Sequence, residues 1–238
     1  MSATLDRRAS RPRPALLGAA ELGETKSRIL DAAFRRLAME GYAALSIREI
    51  ALDAGVNHAL INYHFGSKDQ LLIAVLDEAN RQLLARQREM YGRPAAFADK
   101  WAEARRFYRD DLASGFVRVQ AELWAASLSN PGLREKFVPR IRAWKAVVEE
   151  GVAAAVATLA GCGVKLPAPF TVEVIACWIC EFWVGMEFSE LLGAPEDRAR
   201  HVAGLDAMEK LLRDLDAQVR RQSRAAKRVP AKAARRKP

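Results

Sequence analysis

The stretch Leu45-Ser-Ile-Arg-Glu-Ile-Ala-Leu-Asp-Ala-Gly-Val-Asn-His-Ala-Leu-Ile-Asn-Tyr-His-Phe-Gly-Ser-Lys-Asp-Gln-Leu-Leu72 reads as two short helices folded around a tight turn, followed by the start of a third. Ser46 and Glu49 have the spacing of a capping box, in which the serine oxygen takes a free amide and the glutamate reaches back. The helix they open buries Ile47, Ile50 and Ala51, the last small enough for a close helix crossing. Gly55 stands where the chain must reverse, and glycine alone takes a left-handed conformation without steric cost. Val56 returns an apolar side chain to the core, and Asn57 caps the next helix, anchored by Leu60 or Ile61 and by Phe65. Ser67 and Gln70 form a second capping box ahead of Lys68, and free helix amides beside a lysine suit a phosphate oxygen. These are the parts of a helix-turn-helix, which points to DNA as the partner.

Ala51-x-x-Ala54-Gly55-Val56 and Tyr63-His64-Phe65-Gly66-Ser67-Lys68-x-x-Leu71-Leu72 resemble the DNA-binding domain of the TetR/AcrR family of one-component repressors. The likeness extends upstream through Ser27-Arg-Ile-Leu-Asp-Ala-Ala-Phe34 and Glu40-Gly41-Tyr42, covering roughly Glu24 to Leu76. It implies phosphate contacts from Ser46 and Lys68, which set register without reading sequence. Arg48, Asn57, His58, Ala59 and Tyr63 take positions that face the major groove in the family. Arg48 could donate to guanine and Ala59 could meet a thymine methyl. His64 takes a position that touches the DNA backbone. Position 62, usually tyrosine in the family, is Asn62 here, an amide able to bond a phosphate or read adenine. The competing reading, ordinary helical hairpins with solvated surface Arg and His, accounts for any one of these features but not for the ordered set.

A chain of 238 residues, half of them hydrophobic, suffices for a buried core. No apolar run reaches the ~20 residues of a membrane span, since Glu173 and Glu181 interrupt the most apolar segment. The amino terminus lacks the apolar core of a secretory signal. Three cysteines make no disulfide framework and suit a reducing interior, so the expected location is cytoplasmic. The net charge of +9 is unevenly spread. Residues 218–238 hold nine Lys/Arg and no acid, and residues 1–23 are at +2, which leaves the body at −2. Both ends are rich in Arg, Ala and Pro and read as disordered, either DNA-seeking arms or merely solubilising extensions.

Beyond the third motif helix, apolar residues recur at three and four, with breaks at Gly92-Arg-Pro94, Ser129 to Gly132, Gly161 to Pro169 and Gly193 to Pro195. The expected fold is all-α. It comprises a basic arm (1–23), a three-helix helix-turn-helix domain (24–72), a larger helical ligand-binding and dimerisation domain (73–219) and a basic tail (220–238). One long helix spans about 134–160, with Pro139 either kinking it or marking its start. Two closing helices, roughly 170–192 and 196–222, carry broad apolar faces. Their expected dimer contacts are Trp178, Phe182, Met186, Met208, Leu212 and Leu215, the family resemblance adding that such a pair meets its symmetry mate as a four-helix bundle. Trp101, Phe107, Phe116, Glu122, Trp124, Trp144 and Phe182 are the expected lining of a pocket for an aromatic or cationic small molecule held by an acid. In each case plain core packing is the competing reading.

Cys177 and Cys180 are spaced C-x-x-C, but within a continuous apolar helix and without further ligands at zinc spacing, so they read as core. No phosphate loop, dinucleotide fingerprint or nucleophile elbow is present, so neither catalysis, cofactor nor metal is expected. The sequence thus points to a homodimeric, sequence-specific regulator of transcription, with double-stranded DNA, a second copy and a small effector as partners. The family adds repression of a palindromic operator relieved by ligand. An architectural DNA-binding protein on the same scaffold, using its basic tails, is the alternative.

Overall fold

The computed structural model describes residues 23–193 and 195–228 and contains helices without strands among them. In chain order these are α1 (Glu24–Glu40), α2 (Ile47–Ala54), α3 (His58–Phe65), α4 (Lys68–Gly92), α5 (Phe97–Ser114), α6 (Phe116–Ser129), α7 (Pro131–Gly161), α8 (Val172–Leu192) and α9 (Pro195–Arg228). The chain divides into two compact units, Met1–Val75 and Leu76–Pro238. No helix of the described residues is long and apolar enough to cross a membrane.

In the first unit, Ile29, Leu30, Ala33, Phe34 and Leu37 bury one face of α1, with Ile50 and Ala51 of α2, Ile61 and Phe65 of α3, and Leu71, Leu72 and Val75 at the start of α4. Ile61 is the α3 anchor and Leu60 is exposed. Gly55 closes α2 at φ 63°, with the Val56 amide donating to the Ala51 carbonyl at 3.0 Å. An L-residue in that left-handed conformation costs roughly 1–2 kcal/mol, which is why the turn carries glycine.

Caps start several of these helices where the residue types suggest. The Asn57 Oδ1 accepts from the Ala59 amide at 2.9 Å, Ser67 Oγ from Gln70 at 3.2 Å, and Asn130 Oδ1 from Leu133 at 3.1 Å. Ser46 departs from expectation: it stands at the N-cap of α2 but its side chain makes no cap bond. Glu49, its intended partner, turns instead to Arg36 at 3.1 Å.

In the second unit α7 begins at Pro131 and runs on through Pro139 as one helix. A break absent from the sequence reading falls at Gly115 (φ 84°), which separates α5 from α6. Helix α9 continues to Arg228, so residues 220–228 are helical rather than part of a disordered tail. The reason is compositional: Arg, Gln, Ala and Lys favour helix, and no glycine or proline intervenes before Pro230. The rest of the expected tail, and the expected arm up to Leu22, lie outside the described residues.

Helix α5 has no side-chain cap of its own. Its first amides, of Phe97 and Ala98, donate at 2.9 and 3.0 Å to the two carboxylate oxygens of Asp216, a buried residue of α9. A carboxylate at a helix start satisfies orphan amides and opposes the positive end of the helix dipole. Arg105 of α5 continues the tie to Glu209 at 2.7 Å and Asp206 at 2.8 Å.

Gly151, buried in the middle of α7, is required by close approach. A Cβ there would lie 2.5 Å from the Tyr91 ring. Gly151→Ala gains helix propensity but must displace that ring. We expect a net loss of about 1–2 kcal/mol, read as a melting temperature several degrees lower with helical content unchanged.

Candidate DNA-reading surface and inner cavity

The polar face of the first unit stands on a fastened base. Arg36 of α1 forks onto Asp53 of α2, Nε to Oδ2 at 2.7 Å and Nη2 to Oδ1 at 3.0 Å, and also bonds Glu40 at 2.9 Å. Planar two-point pairing fixes orientation as well as distance, so α2 cannot roll on α1. Above this base Arg48, Asn57, His58, Ala59, Asn62, Tyr63 and His64 are all exposed, and Ser46 and Lys68 are half-buried. Tyr63 is 83% exposed, exceptional for an aromatic side chain whose neighbours Ile61 and Phe65 are buried. Its ring meets His64 edge to face at 5.2 Å.

Two of these residues already have structural work. Asn57 spends its carbonyl oxygen on the α3 cap, leaving its NH2 group outward. Lys68 donates to the Tyr42 carbonyl at 2.8 Å and lies 4.6 Å from the centre of the Tyr42 ring, while the Tyr42 hydroxyl donates to Asp69 at 2.9 Å. Burial holds the Lys68 ammonium below its ordinary pKa. The lysine is thereby fixed at the start of α4, with two N–H bonds left over.

In the second unit the predicted pocket residues separate into different places. Phe107, Phe116 and Trp144 line an inner cavity of about 50 Å³, together with Asn80, Gln87, Met90, Tyr91, Tyr108, Trp183 and Glu187. Trp101 lines a wider outer groove of about 690 Å³ with Arg93, Lys100, Thr158, Leu212 and Asp216. Met90, Tyr91, Ala104 and Trp183 belong to both walls. Trp124 is elsewhere, packed on Phe137 and Phe188, and Glu122 lies 4.0 Å from Arg118 on its own helix. Phe182 stacks against Trp101 but borders neither space. One helix cannot turn both Phe182 and Trp183 inward, and Trp183 takes that position.

The pocket lining expected from the sequence included none of the polar residues of this cavity. Arg86 pairs with Asp111 across α4 and α5 and lies 4.7 Å from the centre of the Phe107 ring. Burial pushes the Asp111 carboxyl above its ordinary range despite this guanidinium. Burial, with Asp111 nearby, pushes Glu187 up to about 8. No spacing rule links residues 86, 111 and 187, because they meet only when three helices pack.

The predicted dimer residues also separate. On α8, Val174, Trp178 (60% exposed), Phe182, Phe188 and Leu192 are exposed, and on α9 Val202, Met208 and Leu211 are. Met186 is only 4% exposed and belongs to the interior, and Leu212 and Leu215 are half-buried. The apolar faces wrap almost round α8, so residue type alone cannot separate the core side from the exposed side. Cys180 is core, packed with Trp144, Val148, Val152 and Ala176, whereas Cys177 is exposed. The described residues hold no group of three His, Cys, Asp or Glu suited to a metal.

Residues 29–75 match the family described as bacterial regulatory proteins, tetR family. An HTH-type transcriptional repressor of Mycobacterium tuberculosis is 50% identical over 60 residues, 25% of this chain and 32% of the relative. The regulator BetI of Rhizobium meliloti is 44% identical over 61 residues, 26% and 28% of the two chains. The matched stretch thus spans about a third of these curated relatives. Solved structures extend the likeness to most of the chain at the level of fold. FadR of Bacillus subtilis, in complex with stearoyl-CoA, aligns with a TM-score of 0.63 at 21% identity, covering 78% of this chain and 96% of its own. A transcriptional regulator of Saccharomonospora viridis in complex with choline gives 0.61 at 22%, covering 80% and 94%.

The Arg36 fork makes a pH-dependent prediction. Arg36 holds the Asp53 carboxyl below its ordinary pKa. Its stabilising contribution is therefore complete above the ordinary value and lost as pH falls through the lowered one. Asp53→Asn should cost about 0.5–1 kcal/mol at pH 7, and in acid melts the difference from the parent should close.

Proposed function

We propose that this chain, which belongs to the TetR family of bacterial regulatory proteins through its amino-terminal unit, is a DNA-binding repressor of transcription that works as a homodimer and releases its operator when a small molecule binds. The observation that carries the reading is the exposed, unspent face of α3 (His58, Ala59, Asn62, Tyr63) on a base fastened by Arg36, with Lys68 fixed beside it. A structural hairpin has no need to expose a tyrosine so fully between buried neighbours. In this reading Arg48 and the α3 residues address base edges, while Ser46 and Lys68 address phosphates. Ser46 suits that task because its hydroxyl is not spent on capping α2.

The exposed apolar residues of α8 (Val174, Trp178, Leu192) and of α9 (Met208, Leu211) support pairing with a second copy, since exposed apolar surface of this kind marks interfaces. Two reading helices about 34–36 Å apart would then match a two-fold symmetric site. The inner cavity and outer groove of the second unit supply the place for an effector. Bound unequally by two arrangements of the dimer, an effector shifts the population away from the one that fits DNA.

Selection of genomic fragments by the purified protein at physiological salt, with and without residues 220–238, tests this directly. Enrichment of a palindromic site by both forms supports the repressor. If nothing is enriched and loss of the tail abolishes binding, an architectural role replaces it. On the selected site, Lys68→Ala should weaken binding to every sequence and lower the salt slope by about one. Arg48→Ala should relax preference at a single base pair, at a cost of about 1–3 kcal/mol. Equal, sequence-blind losses for both variants would remove Arg48 from the reading surface.

A further inference from the structure

We propose that the inner cavity of the second unit is a receptor for the head of a primary amine, taken up as its ammonium ion with release of one proton from Glu187, the apolar body of the amine lying in the outer groove. This deepens the effector reading above and rests on it only for its consequence, not for the binding itself.

The first argument is the balance of donors and acceptors. Arg86 and Asp111 neutralise each other, but Glu187, on the same wall, has no such partner among the described residues. Gln87 lines the same space, and its buried Oε1 accepts no hydrogen bond. Asn80 gives its amide to the Arg140 carbonyl at 3.4 Å, leaving an oxygen that can still accept. Buried acceptors without donors are costly, and an ammonium group brings three donors and no acceptor. Arg86 Nε is also without a partner, but it belongs to the guanidinium already paired with Asp111, for which a carboxylate ligand would have to compete.

The second argument is shape. Aromatic rings from α4 to α8 (Tyr91, Phe107, Tyr108, Phe116, Trp144, Trp183) surround the acceptors, a setting that favours a cation at their faces. A volume of about 50 Å³ holds one small group of the order of a few waters. It admits –NH3⁺ and its first carbon with room to spare, whereas a trimethylammonium head would fill it and bring no N–H to Glu187 or Gln87. Met90, Tyr91, Ala104 and Trp183 border both the cavity and the outer groove, and in this proposal the chain behind the head passes between them into apolar space.

The proton follows from charge. The ionisable and charged groups facing Glu187 are Arg86 of α4 and Asp111 and Tyr108 of α5. Burial holds Glu187 protonated at neutral pH, with a pKa of about 8, and keeps Tyr108 neutral. An arriving ammonium makes the carboxylate the favoured form. The proton on Glu187 leaves to solvent, the ammonium keeps its own, and the charge of the site is unchanged.

The test is calorimetric titration of the full chain with benzylamine, 2-phenylethylamine and hexylamine at pH 6, 7 and 8. Each is run in two buffers of different ionisation enthalpy, which counts released protons. Benzyl alcohol, benzoate and benzyltrimethylammonium are the neutral, anionic and N–H-free cationic controls. Expected are binding of the primary amines, close to one proton released per amine at pH 6–7, and affinity rising roughly tenfold per pH unit until it levels near pH 8. Glu187→Gln should abolish both the proton release and the pH slope. Failure of all three amines to bind, or equal affinity for benzyl alcohol or benzoate, or pH-independent amine binding, would overturn the proposal, as would a benzyltrimethylammonium affinity matching that of benzylamine. The proton count is read on the unaltered protein, so a poorly folded variant does not remove the test. Amine binding in a protein that selects no operator would leave this site standing and the repressor reading fallen. An operator-binding protein indifferent to every amine would do the reverse.

Discussion

Every helix in this all-helical chain begins with amides that have no partner inside the helix, and the structure is organised around satisfying them. Asn57, Ser67, Asn130 and Thr171 do so locally, each accepting from an amide two or three residues onward. The start of α5 is satisfied from 119 residues away, by both oxygens of Asp216. That bond fastens the last helix over the fifth and frames the groove in which Trp101 and Leu212 also lie. Helix α2 is held differently. Its serine makes no cap bond, and the helix is secured from the side by Arg36 through Asp53 and Glu49.

The same logic of unpaired polar groups distinguishes the two functional regions. On the first unit the unspent groups of α3 face solvent, where water satisfies them at little cost. In the second unit Gln87 Oε1 and Arg86 Nε have no partner, and Glu187 lines the same small space as Gln87. The surface can therefore stay hydrated while it is unoccupied. The cavity can wait only by keeping Glu187 neutral, which makes its occupancy sensitive to charge and pH.

Tyr91 links packing to access. Its ring occupies the space that Gly151 leaves open on α7, and it stands in the wall between the cavity and the groove. Lys100 bonds its carbonyl at 2.6 Å, and burial pushes its phenol up to about 12, so it is a neutral side chain on a held backbone. A single glycine, unremarkable in an alanine-rich helix, thus sets the geometry of the inner site.

What the sequence determined by itself is whatever depends on near neighbours in the chain: the turn at Gly55, the caps at Asn57, Ser67 and Asn130, the all-helical pattern and the family of residues 29–75. Chain breaks marked by proline or by paired turn residues were legible, and the lone Gly115 was not. Tertiary structure alone decided which face of α8 turns inward. It buried Met186 and left Trp178 outside, and it sent Trp183 rather than Phe182 to the cavity. It likewise brought Arg86, Asp111 and Glu187 together, and assigned Asp216 to a helix start and Glu49 to Arg36. The physical reason is that a helix apolar around most of its circumference has no periodic signal for its orientation. A long-range ion pair or cap leaves no trace in residue spacing, because only packing brings its two halves within a few ångströms.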